Sequence, residues 1–419
     1  MTPQQERAVV DGPSGGSWSR RGMLTGLLGA PVLLLAACGG ADGRGGQGKG
    51  GPAAGGGGAP RSSAAVITVT PADGTTGAAF TAPVTVSVAA GTLDSVRVTD
   101  PTGREIPGRL APDGASWTTT APLASATRYT VAAVAADKDR ITADASSAFT
   151  TATPAKTFTA TFTPEDGSTV GVGMPVSITF STPVTDRRAV QQAITVVAEP
   201  GVEVVGHWYS STRLDFRPAQ YWAKGTRVTL RLRLKDVQGA PGVFGTQSKD
   251  VAFTIGRSQT SLADLSAGTL TVTTDGRVSA VYPVIGGGPD HRTWGGRMVI
   301  SEQFTQTRMN SATVNLGDEY DIPDVPHAQR LTASGTFVHG NYWSPRTAFG
   351  HANLSHGCIA LRDVQGAGDP TTDAARFYAS SLPGDVVEVV NSGDRTVDAA
   401  NGLGDWNLTW ADWTAGSAI

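Results

Sequence analysis

The sequence predicts a mainly β chain: two tandem β-sandwiches, then a mostly-β third region with one or two short helices and a C-terminal tail. Three observations carry that prediction. Gly, Ala, Thr and Val are abundant while only 16% of the 419 residues are charged, which fits strands joined by flexible turns. Apolar and polar residues alternate with a period of two over short runs bounded by turn signals. A turn signature also occurs twice, as Thr70-Pro71-Ala72-Asp73-Gly74-Thr75 and Thr163-Pro164-Glu165-Asp166-Gly167-Ser168.

The N-terminal 37 residues read as a targeting segment rather than as part of the fold. Arg20-Arg21 precede an apolar stretch from Met23 to Ala37, too short to span a bilayer comfortably. The stretch ends in Leu35-Ala36-Ala37-Cys38-Gly39. Small residues before Cys and Gly resemble the lipobox of bacterial lipoproteins, which makes Cys38 the expected lipidation site and mature N-terminus. A bystander Cys after a plain signal peptide is the alternative. Ser19-Arg20-Arg21-Gly22-Met23-Leu24 also resembles a twin-arginine export signal, and the route stays open. The expected location is the outer face of the cytoplasmic membrane, facing the cell wall. Residues 38–61 are the lipidated Cys and a Gly-rich linker. Its roughly 22 small residues reach an r.m.s. distance of about 25 Å and cannot bury a core.

The folded part starts at residue 62. Val66–Thr70, Val84–Val88 and Tyr129–Val131 alternate like half-buried strands, with turns at Pro71-Ala72-Asp73-Gly74 and Pro112-Asp113-Gly114. After the second turn signature come Val176–Phe180, Leu214–Phe216 and Val228–Leu232. Strands at this spacing predict two immunoglobulin-like sandwiches over 62–152 and 153–257. One larger β-domain is the alternative. The third domain spans 258–392. Thr269–Val278 reads as a hairpin through Asp275-Gly276. Strands follow at Met298–Ile300, Thr336–His339 and Val386–Val390, and a helix from Pro370 to about Ser381 capped by Asp369. The tail, 393–419, carries Trp406, Trp410 and Trp413, expected to pack onto the preceding domains.

A net charge of −3 and no Lys/Arg-rich tract argue against nucleic acid as a partner. The chemistry concentrates between His339 and Cys358. Three of the six His lie there, with one of the two Cys. If Cys38 carries lipid, Cys358 is the only thiol and has no intramolecular disulfide partner. A thiol of ordinary pKa, about 8.5, is mostly protonated at neutral pH, and a nearby imidazole can take its proton and return it to a leaving amine. Gly357 lets the backbone approach a substrate, with its N–H and that of Cys358 aimed at an oxyanion. A zinc site lacks the usual ligand spacing. A buried structural Cys fits poorly with the polar neighbours Ser355 and His356.

The run His339, Gly340 to Leu354, Ser355-His356-Gly357-Cys358 resembles the L,D-transpeptidase catalytic domain, the YkuD-like family. The likeness extends over about 258–419, including Asn401-Gly402-Leu403-Gly404-Asp405-Trp406. With the lipobox and paired sandwiches, it matches the branch that builds 3→3 cross-links in peptidoglycan. The resemblance implies a mostly-β fold with a mobile flap, and no metal or cofactor. It implies Cys358 as nucleophile, His339 as general base, the Gly340 carbonyl as orienter, His356 as modulator of the thiol, and Gly357 as an oxyanion donor. Tyr320 (with a one-residue offset), Met309, Trp343, Ser355 and Asn353 are the implied substrate contacts, while His351 is read as structural. The implied partners are donor and acceptor stem peptides, with carbapenems as inhibitors. Ala360 stands where the family has Asn or Arg, which points to an altered substrate. An L,D-carboxypeptidase, or a wall-binding protein with weakened catalysis, are the alternatives. The flap segment Gly317–Asp324 is acidic: a solvated loop, or an attraction for the acceptor ammonium.

Overall fold

The computed structural model describes residues 61–314 and 317–419. The targeting segment, Cys38 and nearly all of the linker lie outside the described residues. Strands dominate, and the three α-helices among the described residues are short: Arg187–Gln192, Asp373–Ser380 and Trp410–Ala415.

The repeated turn signature marks a repeated fold. In the first sandwich, Asp73 Oδ1 accepts from the Ala148 N–H at 2.7 Å, and the Gly74 N–H donates to the Ala148 carbonyl. In the second, Asp166 Oδ1 accepts from Ala252 N–H at 2.8 Å, and Gly167 N–H donates to the Ala252 carbonyl. The same side chain thus ties the same turn to the same long strand in both copies. The sheets correspond too. One sheet of the first sandwich orders Val66–Thr70, Thr85–Ala89, Ser116–Thr119 and Gly108–Leu110. Its counterpart orders Ala160–Thr163, Val176–Phe180, Arg213–Arg217 and Val205–Trp208. The opposing sheets match strand for strand, apart from an extra hairpin, Gln238–Ala240 and Val243–Gly245, inserted in the second copy.

The third domain is built on a nine-stranded sheet. Its strand order is Gly296–Val299, Val386–Val390, Gln259–Asp264, Thr269–Thr274, Arg277–Ile285, Ile359–Arg362, Phe337–Asn341, Asp321–Arg330 and Glu302–Asn310. The hairpin expected at Asp275-Gly276 forms, with φ of 50° and 79° at those residues. Two consecutive positive φ values match the strands' right-handed twist, and Asp-Gly tolerates them. The helix expected from Pro370 starts later, at Asp373, because Thr372 rather than Asp369 caps it. The Thr372 hydroxyl accepts from Ala375 N–H, while Asp369 holds a turn through Thr371.

The second sandwich is fitted closely to this sheet. Gly171 and Gly173 donate their N–H groups to the carbonyls of Pro383 and Gly384. A side chain on either glycine would strike Gly384–Val386, so the close approach needs glycine here. The tail locks the pair together. Trp406 donates to the Gly173 carbonyl at 2.7 Å, and Trp413 to the Val205 carbonyl at 2.9 Å. Arg217 of the second sandwich is buried among the rings of Trp406, Trp410 and Trp413, at 4.7, 5.5 and 4.4 Å from their centroids. Arg213 donates to the carbonyls of Ala400 and Gly402. The Trp-rich tail therefore works as a clamp between domains. Trp413→Ala should lower stability by about 3–5 kcal/mol and shift the urea midpoint down; an unchanged midpoint would refute the clamp.

Candidate active site

His339 and Cys358 are 19 positions apart in sequence, and strand pairing brings them together. Phe337–Asn341 runs parallel to Ile359–Arg362, with Val338 opposite Ile359 and His339 opposite Ala360. Side chains alternate across a sheet. Val338, Ile359 and Leu361 therefore enter the domain core, and His339, Cys358 and Ala360 take the opposite face. A parallel pair needs a long crossover. Residues 342–358 provide it, and they form much of the wall of a cavity of about 240 Å³. His339, Cys358, Asn341, Trp343, Ser355 and His356 line it from the crossover side, and Met309, Tyr320, Ile322 and Val325 from the flap.

Both central groups are buried and favour their neutral forms. Desolvation pushes the Cys358 thiol up to about 11, against the Phe337 N–H directed at its sulfur. The thiol itself faces the Gly335 carbonyl at 3.7 Å. Burial holds the His339 imidazole below its ordinary value, opposed by the Gly340 carbonyl and the Asp363 carboxylate. His339 Nδ1 lies 2.8 Å from the Gly340 carbonyl. A carbonyl only accepts, so the ring proton sits on Nδ1 and Nε2 keeps its lone pair. Trp343 stacks on the imidazole, with centroids 5.9 Å apart and planes at 17°.

The motif loop is held by its own serine. Ser355 Oγ donates to the Cys358 carbonyl at 2.6 Å and accepts from Gly357 N–H at 3.3 Å. Gly357 has φ of 106°, which a side chain would oppose. His356 Nε2 lies 3.2 Å from Glu319 of the flap, and its ring packs 5.0 Å from that of Tyr320. Tyr320 thus reaches the cavity despite the offset in sequence. Its phenol is pushed up to about 12, by burial first and by the nearness of Cys358 and Glu319 after that. Met309 lines the cavity and packs against the cluster of Ala328, Phe337 and Cys358.

Two expectations need correction. Asn353 does not contact the cavity; its amide accepts from Gly286 N–H at 2.9 Å and donates to the Leu265 carbonyl at 3.1 Å, pinning the loop. Ala360 is not on the cavity wall either. It is fully buried under Ile285, Ala348 and Phe349, so a longer polar side chain there would meet apolar groups. The flap acids are also mostly engaged: Asp321 with Arg308, Asp324 with Tyr342 and Gln365, and Glu319 with His291 and His356. His351 is exposed and off the cavity wall.

Comparison with known proteins agrees with this geometry. Residues 258–389 match the family described as the L,D-transpeptidase catalytic domain, and residues 75–238 match the bacterial Ig domain. L,D-transpeptidase 2 of Mycobacterium tuberculosis (strain CDC 1551 / Oshkosh) is 35% identical over 84% of this chain and 85% of its own. The chain belongs to the L,D-transpeptidase family. L,D-transpeptidase 5 of Mycobacterium tuberculosis (strain ATCC 25618 / H37Rv) is 32% identical over 84% of this chain and 77% of its own. Among solved structures, the LD transpeptidase LdtMt1 in complex with imipenem is 31% identical. It covers 55% of this chain and 97% of its own, with a TM-score of 0.46.

Behind the imidazole lies a buried Asp–His pair that sequence reasoning missed. Asp363 Oδ2 lies 2.7 Å from His327 Nδ1, and Asp363 Oδ1 accepts from the Thr372 hydroxyl at 2.9 Å. Both side chains are buried. Asp363 presses so closely on Gly340 that any side chain there would collide with the carboxylate. Position 340 is therefore glycine for a steric reason, beyond its carbonyl's hold on His339. Asn341 was also missed: its Oδ1 accepts from the N–H groups of Trp343 and Ser344 and turns the chain into the crossover. Only the Asn-x-x-Ser spacing hinted at that turn. Nothing in the sequence tied Asp363 to His327, 36 residues away.

Asp363 favours the charged imidazole, so Asp363→Asn should lower the His339 pKa further. An NMR titration of histidine-labelled protein reads this directly. A His339 pKa that stays put or rises would contradict the electrostatic role.

Proposed function

We propose that this chain is a peptidoglycan L,D-transpeptidase that forms 3→3 cross-links through a thioester on Cys358. One observation carries the reading. Cys358 and His339 share a cavity on one face of the sheet, and the imidazole is in the tautomer that accepts at Nε2.

Cys358 Sγ attacks the carbonyl of the third stem residue, at the L centre of the diamino acid. The S–C bond forms as the thiol proton passes to His339 Nε2. Neutral partners make this sequence natural, since neither buried group need ionise before substrate arrives. The N–H groups of Cys358 and Gly357 receive the oxyanion. The Gly357 N–H leaves a long bond to Ser355 Oγ, and a charged acceptor forms the stronger one. Collapse breaks the C–N bond to the terminal D-Ala, whose amine takes the proton from His339. The side-chain amine of an acceptor stem then attacks the thioester. Its proton passes to His339, the new amide forms, and the sulfur recovers a proton. No step requires a metal or cofactor. Trp343 and Tyr320 flank the reacting carbonyl, and His356 shapes the entrance. A strained β-lactam carbonyl meets the same sulfur, so carbapenems are expected acylating inhibitors.

Cys38 carries the lipid in this reading, and residues 38–61 tether the enzyme to the outer face of the cytoplasmic membrane.

Purified protein incubated with tetrapeptide dimers should release D-Ala and yield 3→3 products by mass. Tripeptides alone would mean a carboxypeptidase, and no D-Ala release would mean a wall-binding protein. Cys358→Ala should cut product formation by more than about 1,000-fold and abolish the carbapenem adduct; an adduct that persists would overturn the assignment. Cys38→Ala should move the protein out of the membrane fraction, and retention there would refute lipidation at that residue.

A further inference from the structure

One side-chain cluster beside the cavity takes no proton and forms no bond in the chemistry proposed above. His291 Nε2 and His356 Nε2 lie 3.0 and 3.2 Å from the same oxygen, Oε2 of Glu319. The two imidazoles pack with centroids 4.9 Å apart, and all three donor atoms fall within 4.8 Å of one another. The residues come from three separate segments. His291 is on the loop between Arg277–Ile285 and Gly296–Val299, Glu319 is on the flap beside Tyr320, and His356 is in the motif loop.

We propose that His291, Glu319 and His356 form a zinc-class divalent metal site that fastens the flap over the cavity. Two imidazoles and one carboxylate are a donor set that suits Zn²⁺, with the fourth position open to water. Ligands about 2.0–2.2 Å from a tetrahedral zinc stand roughly 3.3 Å apart. The two carboxylate-to-nitrogen distances are already close to that value. Only the two imidazoles need draw together, and partly exposed side chains on loops can do so. The convergence is hard to explain as ion pairing alone. One oxygen serves two rings, and all three groups are partly exposed, where such pairs hold weakly.

The consequence for the enzyme follows from what the ligands are joined to. Glu319 precedes Tyr320, and both Tyr320 and His356 line the cavity. A metal shared by these segments ties the flap at Tyr320 to the motif loop across the cavity that both line, and it immobilises His356. Zinc is then an inhibitor that acts beside the thiol rather than on it. The inhibitory half rests on the acyl-transfer reading; the binding half does not.

The test uses the full chain and zinc chloride. Zinc binding is measured by calorimetry on Cys358→Ala, which removes the thiol as a ligand. A single site of micromolar or tighter affinity is expected, weakened at least tenfold by His291→Gln and by Glu319→Gln in that background. Affinity unchanged by both substitutions, or lost in Cys358→Ala itself, would overturn the proposal. With Cys358 present, stoichiometric zinc should slow carbapenem acylation at least tenfold, and a chelator should restore it. In His291→Gln, folded as judged by its zinc-free acylation rate, zinc should slow the reaction far less. Equal inhibition in both proteins would overturn the regulatory role. Absence of acylation without zinc would instead count against the proposed reaction, leaving the binding result to stand or fall on its own.

Discussion

The parallel pairing of Phe337–Asn341 with Ile359–Arg362 is the constraint on which the site depends. It turns a 19-position separation between His339 and Cys358 into neighbouring positions on one sheet face. It also forces a crossover, because parallel strands cannot be joined by a tight turn. The crossover becomes the cavity wall and carries Trp343, Ser355 and His356 into place. Side-chain alternation does the rest. Val338, Ile359 and Leu361 anchor the pair in the core, so a slip of one residue would bury the imidazole in the core and expose apolar groups.

Burial then sets the chemistry. A buried thiol and a buried imidazole both resist charging, so the resting pair favours its neutral form over an ion pair. The Gly340 carbonyl fixes which nitrogen accepts, and Asp363, held by His327, supplies negative charge behind the ring. Each contribution enters through the backbone or through a residue close to Gly340. The same glycine therefore answers to a steric demand and an electrostatic one.

How much of this was legible in the sequence follows from what each feature depends on. Strands with period-2 alternation were readable because their pattern is local: Val66–Thr70 and Val176–Phe180 lie where the alternation put them. The Asp275-Gly276 hairpin was readable because few residue pairs tolerate two positive φ values. The helix start was misplaced because Asp369 and Thr372 are both good caps, and only the contact of Thr372 with Asp363 decides between them. Asn353 was misread for a similar reason. Its amide is consumed by Gly286 and Leu265, distant groups that no local pattern names. Ala360 looked like a lost substrate contact because the sequence shows its neighbours in the chain, not the Ile285 and Phe349 that cover it. The pairing of Asp363 with His327 left no trace in either segment alone.

The claim on which the account turns is that Cys358 rests as a buried thiol and loses its proton only as it attacks. Thiolate absorbance near 240 nm, recorded as the difference between the protein and its Cys358→Ala variant, measures this across pH. The account predicts no thiolate signal at neutral pH and a rise only well above the ordinary thiol range, toward about 11. A full thiolate signal at pH 6 or 7 would mean a resting thiolate–imidazolium pair and would contradict it.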